Sequence, residues 1–257
     1  MRLIVNGDDL GISHAVNLAM IDCFTKGIMS SASMMVNMPY AKEAAALMKE
    51  YPGLSVGLHL NLTVGFPLLK NYKTLLKADG SFNKGILQME KGQVDLKEAE
   101  AECRAQLDKF IELTGQMPDH INSHHGIEMI PGAQKILQNI AEENHLPIRQ
   151  FMEWGMKEEP VYTVSKELPL LKMVLKKDGT SACVKDWKEC FSQEELKSNA
   201  AFEMAAHPGY VDYDLLQVSS LTSGRCHDAN TFMSKELQEW IAQNKVELIT
   251  YKDLQDN

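Results

Sequence analysis

Nowhere in the 257-residue sequence does an apolar stretch approach the roughly 20 residues of a membrane-spanning helix. Positive charge is outnumbered, with 26 Lys and Arg against 35 Asp and Glu. The net charge of −9 argues against a surface for nucleic acid or anionic lipid, so neither partner is expected. The five cysteines (Cys23, Cys103, Cys183, Cys190 and Cys226) are odd in number and show no C-x-x-C spacing. The first residues carry an apolar run of only three, Leu3-Ile4-Val5, followed by Asn-Gly-Asp-Asp, unlike a secretory leader. Reduced thiols and a cytoplasmic location are therefore expected. Repeats, low-complexity tracts and evident linkers are also missing, which predicts one domain over residues 1–257. With 44% apolar and 24% charged residues, the composition suits a globular protein with a sizeable core.

What is present is an alternation of short β-like runs with amphipathic helical stretches. Strands are predicted at Leu3–Asn6, Ser31–Val36, Ser55–Leu60, His120–Ser123, Pro147–Arg149, Val161–Val164, Ala201–Ala206 and Val246–Thr250. Helices are predicted at Ser13–Lys26, Tyr40–Glu50, Leu96–Thr114, Gly132–Asn144, Lys166–Lys176, Gln193–Ser198 and Thr231–Gln243. Thr63 to about Val94 is irregular and glycine-rich, the kind of segment that forms a functional lid or carries minor elements. Alternating β and α units imply a parallel sheet covered by helices, either a (β/α) barrel of about seven strands or an open doubly wound sheet.

The chemistry gathers at strand ends. The first strand runs into Asn6-Gly7-Asp8-Asp9 and the third into "GLHLNLT", with His59, Asn61 and Thr63. The fourth runs into "HINSHHGIE", with His120, Asn122, His124, His125 and Glu128, and a late one into "HPGYVDYD", with His207 and Asp212. Each has a plain explanation alone: a capping aspartate, a hydrogen-bonded core histidine, a turn residue. Four such ends on consecutive units would face one mouth, as catalytic groups of barrels do. Adjacent carboxylates repel unless a cation sits beside them. Two imidazoles and one carboxylate suit a divalent metal with open positions, leaving a spare aspartate as base and a spare histidine as acid.

Together "NGDDLG", "GLHLNLT", "HINSHH" and "HPG" resemble the YdjC-like carbohydrate deacetylases, which include chito-oligosaccharide deacetylases. The resemblance implies an irregular (β/α) barrel related to NodB-type deacetylases, and removal of acetyl groups from sugars. It implies a divalent ion, usually magnesium with zinc as the alternative, held by Asp9, His59 and His124. Asp8 would be the general base and His207 the general acid, while Arg149 would orient a catalytic carboxylate or touch substrate. A homodimer is also suggested. Asn122, Gly126 and Glu128 depart from the family pattern, which has an acid and two histidines there. The stretch "SSLTSGRCHDANTF" after His-Pro-Gly lacks the expected Arg-Glu pairing.

Two other readings stay open. The same two-histidine, one-carboxylate set suits non-haem iron. The departures also fit a sugar-binding or regulatory homologue with impaired catalysis. Phe66, Tyr72, Phe82, Trp154, Trp187, Tyr210 and Tyr213 are loop aromatics that could line a sugar site, although ordinary packing explains each.

Overall fold

The computed structural model describes residues 1–151, 167–174 and 182–254. Its strands are β1 (Arg2–Leu10), β2 (Ser31–Met34), β3 (Ser55–Leu60), β4 (Ile121–Ser123), β5 (Leu170–Lys172), β6 (Ala201–Ala206) and β7 (Glu247–Leu248). Its helices are α1 (His14–Lys26), α2 (Ala41–Glu50), α3 (Leu96–Thr114), α4 (Ala133–Glu143), α5 (Val184–Glu189), α6 (Gln193–Lys197), α7 (Tyr213–Val218), α8 (Ser223–Phe232) and α9 (Lys235–Gln243).

Among the described residues every pairing between these strands is parallel, in the order β4-β3-β2-β1-β6-β5. The central β1 pairs with β6 along one edge. On its other edge it meets β7 at Arg2 and Leu3, then β2 from Asn6 onward. Among the described residues β4 and β5 do not pair, so the sheet forms an open, curled half-barrel. The parallel α/β sheet expected from the alternation is therefore observed, in the barrel-like form that the resemblance implies.

Most elements follow local rules. Ser13 caps α1 by accepting from the Val16 amide at 3.3 Å, and Val16, Ala19, Met20 and Cys23 are buried on one face. The long stretch after Thr63 holds a single 3₁₀ turn, Lys84–Gln88, and is fastened to α3 by two carboxylates. Glu102 accepts from the Leu68 and Leu69 amides and the Tyr72 hydroxyl, and Glu98 accepts from the Lys73 and Thr74 amides.

Three expectations change. Residues 170–172 are a strand, not the middle of a helix over 166–176. The open edge of β6 supplies hydrogen-bond partners that a short apolar run with ambiguous periodicity accepts. The helix expected over 231–243 is two, because Ser234 caps α9 and ends what precedes it. Among the described residues Pro147–Arg149 makes only one parallel bridge, Ile148 to Ile121. The strand expected at 161–164 lies outside the described residues.

Candidate metal and active site

Asp9, His59 and His124 are buried, and each offers a ligand atom within 4.8 Å of the others'. Asp9 Oδ1 lies 3.2 Å from His59 Nε2 and 2.8 Å from His124 Nδ1. The three come from the ends of β1, β3 and β4. Consecutive strand residues point to opposite faces, yet Asp8 and Asp9 both serve this end of the sheet. A bulge between Asp8 and Leu10, with Asp9 at φ 78°, re-aims the chain there. Burial alone would raise the Asp9 pKa, but His124 and Arg225 hold it well below the carboxylate range. A buried carboxylate between two imidazoles fits a nitrogen-seeking divalent ion.

Asn122 governs which His59 nitrogen carries the proton. Its amide oxygen lies 2.7 Å from His59 Nδ1. In that orientation Nδ1–H donates, and Nε2 presents a lone pair toward Asp9, as metal binding requires. With the amide turned over, its NH₂ donates to Nδ1 and its oxygen accepts from Arg149. Then Nε2 carries the proton and faces Asp9 as a donor. A carboxylate here would accept from both neighbours; an amide must choose.

Asp8 is locked beside the triad. Arg149 Nη1 donates to its Oδ2 at 2.7 Å and Nη2 to its Oδ1 at 2.8 Å. Asn6 also donates to Oδ1 at 2.8 Å. Burial would raise the Asp8 pKa, but the guanidinium, helped by His59, holds it well below the usual range. Among the described residues Oδ2 has only Arg149 as partner, which leaves a lone pair for a further donor.

His207 follows β6 and borders two cavities. One, of about 220 Å³, is mainly apolar, with Met129, Leu137, Phe151 and Met173 beside Asp8 and Arg149. The other, of about 570 Å³, is more polar and includes Lys77, Lys84, Ser219 and Arg225 beside Asp9 and His124. α8, the second helix after His-Pro-Gly, supplies two groups that strand-end position does not nominate. Arg225 Nη2 donates to Asp9 Oδ2 at 2.6 Å, and Asp228 accepts from the His207 amide at 3.0 Å. Their Arg-x-x-Asp spacing was the available signal. Gly209 makes room for Arg225, since a Cβ there would lie 3.1 Å from its Cδ.

The other candidates scatter. Asp212 is a cap, accepting from the Leu215 and Ala15 amides. Thr63 Oγ1 lies 2.9 Å from His125 Nδ1, and Glu128 accepts from the Ser123 hydroxyl. His120 lies beneath the site, stacked on Tyr251. Of the aromatics, Phe66 and Phe82 border the larger cavity. Tyr72 is tied to Glu102, Trp187 packs against Phe232, Tyr210 donates to Asp22, and Tyr213 is exposed. Trp154 lies outside the described residues.

A parallel half-barrel of the α/β class thus carries, at its strand ends, a buried carboxylate–imidazole triad that could hold a metal ion. The YdjC-like protein family model matches residues 2–243, and the chain belongs to that family. It is 32% identical to a carbohydrate deacetylase of Clostridium beijerinckii, over 99% of this chain and all of that one. It is 31% identical to carbohydrate deacetylase 1 of Listeria innocua, with the same coverage. A crystal structure from Enterococcus faecalis, of a protein named for cellobiose-phosphate cleavage, superposes with a TM-score of 0.82 at 24% identity, covering 98% of this chain and 97% of that one. A family 4 carbohydrate esterase from Streptomyces lividans shares the fold at a TM-score of 0.50 and 9% identity, covering 100% of this chain and 96% of that one. No helix among the described residues is long and apolar enough to cross a membrane.

Proposed function

We propose that the protein is a metal-dependent carbohydrate deacetylase that hydrolyses the acetamide of N-acetylated sugars or oligosaccharides. One observation carries this reading: a buried Asp-His-His donor set shares its cavities with Asp8, which is paired to Arg149, and with His207, which borders both. Asp9, His59 and His124 would hold the ion. Such an ion polarises an acyl carbonyl and lowers the pKa of water bound to it.

The chain's own groups do the rest. Asp8 Oδ2, with its remaining lone pair, takes the proton of the attacking water. Arg149 keeps that carboxylate ionised and fixed in plane. His207 passes a proton to the departing amine, while Asp228 holds its backbone. Lys77, Lys84 and Arg225 offer donors to sugar oxygens from the larger cavity, and the smaller one takes the apolar part of the acyl group.

The resemblance names magnesium, whereas two imidazoles with one carboxylate are a donor set that zinc also favours. The reading includes a single domain, supported by β1 pairing with strands from both halves of the chain. It also includes a cytoplasmic homodimer, for which exposed Val211, Tyr213 and Leu216 near α7 offer an apolar surface.

The test is acetate release from mono- and di-acetylated amino sugars with the metal varied. Asp8→Asn and His207→Ala should each lose roughly 10²–10⁴-fold in kcat. Sugar binding without acetate release by the metal-loaded protein would instead identify a binding homologue. Turnover dependent on iron and 2-oxoglutarate would identify an oxygenase.

A further inference from the structure

Tyr251 sits in a short turn, Tyr251–Asp253, beyond residue 243, where the family match ends. It is nonetheless fully buried and reaches Asp8 by two routes. Along the first, its hydroxyl donates to Glu203 Oε2 at 2.5 Å. Glu203 Oε1 accepts from Arg149 Nε at 2.9 Å and Nη2 at 2.6 Å, and Arg149 grips both oxygens of Asp8. Along the second, the Tyr251 ring stacks on His120, with centroids 3.9 Å apart and planes at 15°. His120 Nε2 lies 3.1 Å from Ser33 Oγ, which donates to Asp8 Oδ1 at 3.3 Å. His120 fits there because residue 57 is glycine; a Cβ would lie 2.3 Å from the ring.

We infer that Glu203 and Tyr251 are positioning residues that set the plane of the Arg149 guanidinium and, through it, the aim of the Asp8 carboxylate. This rests on Asp8 being the base. A guanidinium held only at its two Nη atoms can pivot about the carboxylate it serves. Fastening Nε–H as well fixes the whole fork. Glu203 provides that anchor, but a carboxylate buried between β1 and β5 needs its second oxygen satisfied. Tyr251 satisfies it with a neutral donor, which leaves the charge balance between Asp8, Arg149 and Glu203 untouched. Burial and Glu203 hold the Tyr251 pKa well above its ordinary value, which keeps the hydroxyl a donor. The C-terminal turn is thereby a functional part of the active site.

Tyr251→Phe removes the hydroxyl and keeps the ring on His120. In the metal-loaded full-length protein it should lower kcat by about 10- to 100-fold, the scale of a misaligned catalytic group. KM and bound-metal stoichiometry should stay unchanged. Glu203→Gln should do the same, and the double variant should be no worse than Glu203→Gln alone. An independent readout is ¹⁵N NMR of arginine side chains. The Arg149 Nε–H signal, assigned by its absence in Arg149→Lys, should exchange slowly in the wild type and faster in Tyr251→Phe. If Tyr251→Phe does not fold, Glu203→Gln carries both readouts. A kcat within twofold of wild type, a loss confined to KM or metal content, or an unaltered Arg149 signal overturns the inference. Absence of acetate release by the wild type would sink the deacetylase reading instead, and the NMR comparison then decides the positioning role.

Discussion

Arg225 donates to Asp9 at 2.6 Å from a position 216 residues further along the chain, on the oxygen opposite the one facing the two histidines. The aspartate proposed as a metal ligand thus has a cation of its own before any ion arrives. Arg225→Met should leave a buried carboxylate short of countercharge. That typically costs about 3–5 kcal/mol. Added zinc or magnesium should recover much of this loss, because a bound ion supplies the missing charge. Thermal denaturation with and without metal checks it; an equal loss in both conditions would contradict the account.

His59→Ala removes a ligand nitrogen. Elemental analysis of the purified variant should find the bound metal lost, and metal titration should show affinity weaker by more than about 100-fold, the upper end of outer-partner effects. Full metal occupancy would show that the ion sits elsewhere.

Asn122→Asp should strengthen metal binding, roughly 10-fold on the scale of outer-partner effects. The carboxylate would accept from His59 Nδ1–H and from Arg149 together, ending the choice forced on the amide. Competition with a chelator of known affinity measures it, and weaker binding would refute the tautomer argument.

Acid should destabilise the metal-free protein before its carboxylates titrate. Burial, then the charge of Arg149, holds the His120 pKa well below 6.5. Above about pH 6.5 the imidazole is neutral in both folded and unfolded chains, and its contribution is complete. Below that, the unfolded chain takes up a proton that the folded chain refuses, so stability falls by about 1.4 kcal/mol per pH unit for each such group. His125, pushed down to about 3 mainly by burial, adds to the fall. His59, although burial opposes it, is raised by Asp8 and Asp9 and works the other way. The midpoint of thermal unfolding should therefore drop between pH 7.5 and pH 5.5; a flat or rising midpoint would count against it.

The legibility of each part tracks how local its cause is. β3, α3 and β6 appear at their expected bounds because apolar periodicity, capping and glycine stops act within a few residues. The strand at Leu170–Lys172 escaped notice because β6, not its own sequence, decides it. Asp9, His59 and His124 could be nominated from strand-end position and residue type. Arg225 and Asp228 could not be nominated that way, since a charged pair on a helix ordinarily faces water.

The amino-acid sequence by itself determined the alternating architecture, the metal-suited residue types and the order in which they occur. Only the tertiary structure decided that Asp9 lies between two imidazoles, that Arg225 comes to meet it, and that Tyr251 closes a chain of donors and acceptors leading to Asp8. The reason is physical. Periodicity and capping are energies between near neighbours, whereas a buried charge must find its partner wherever the fold brings one.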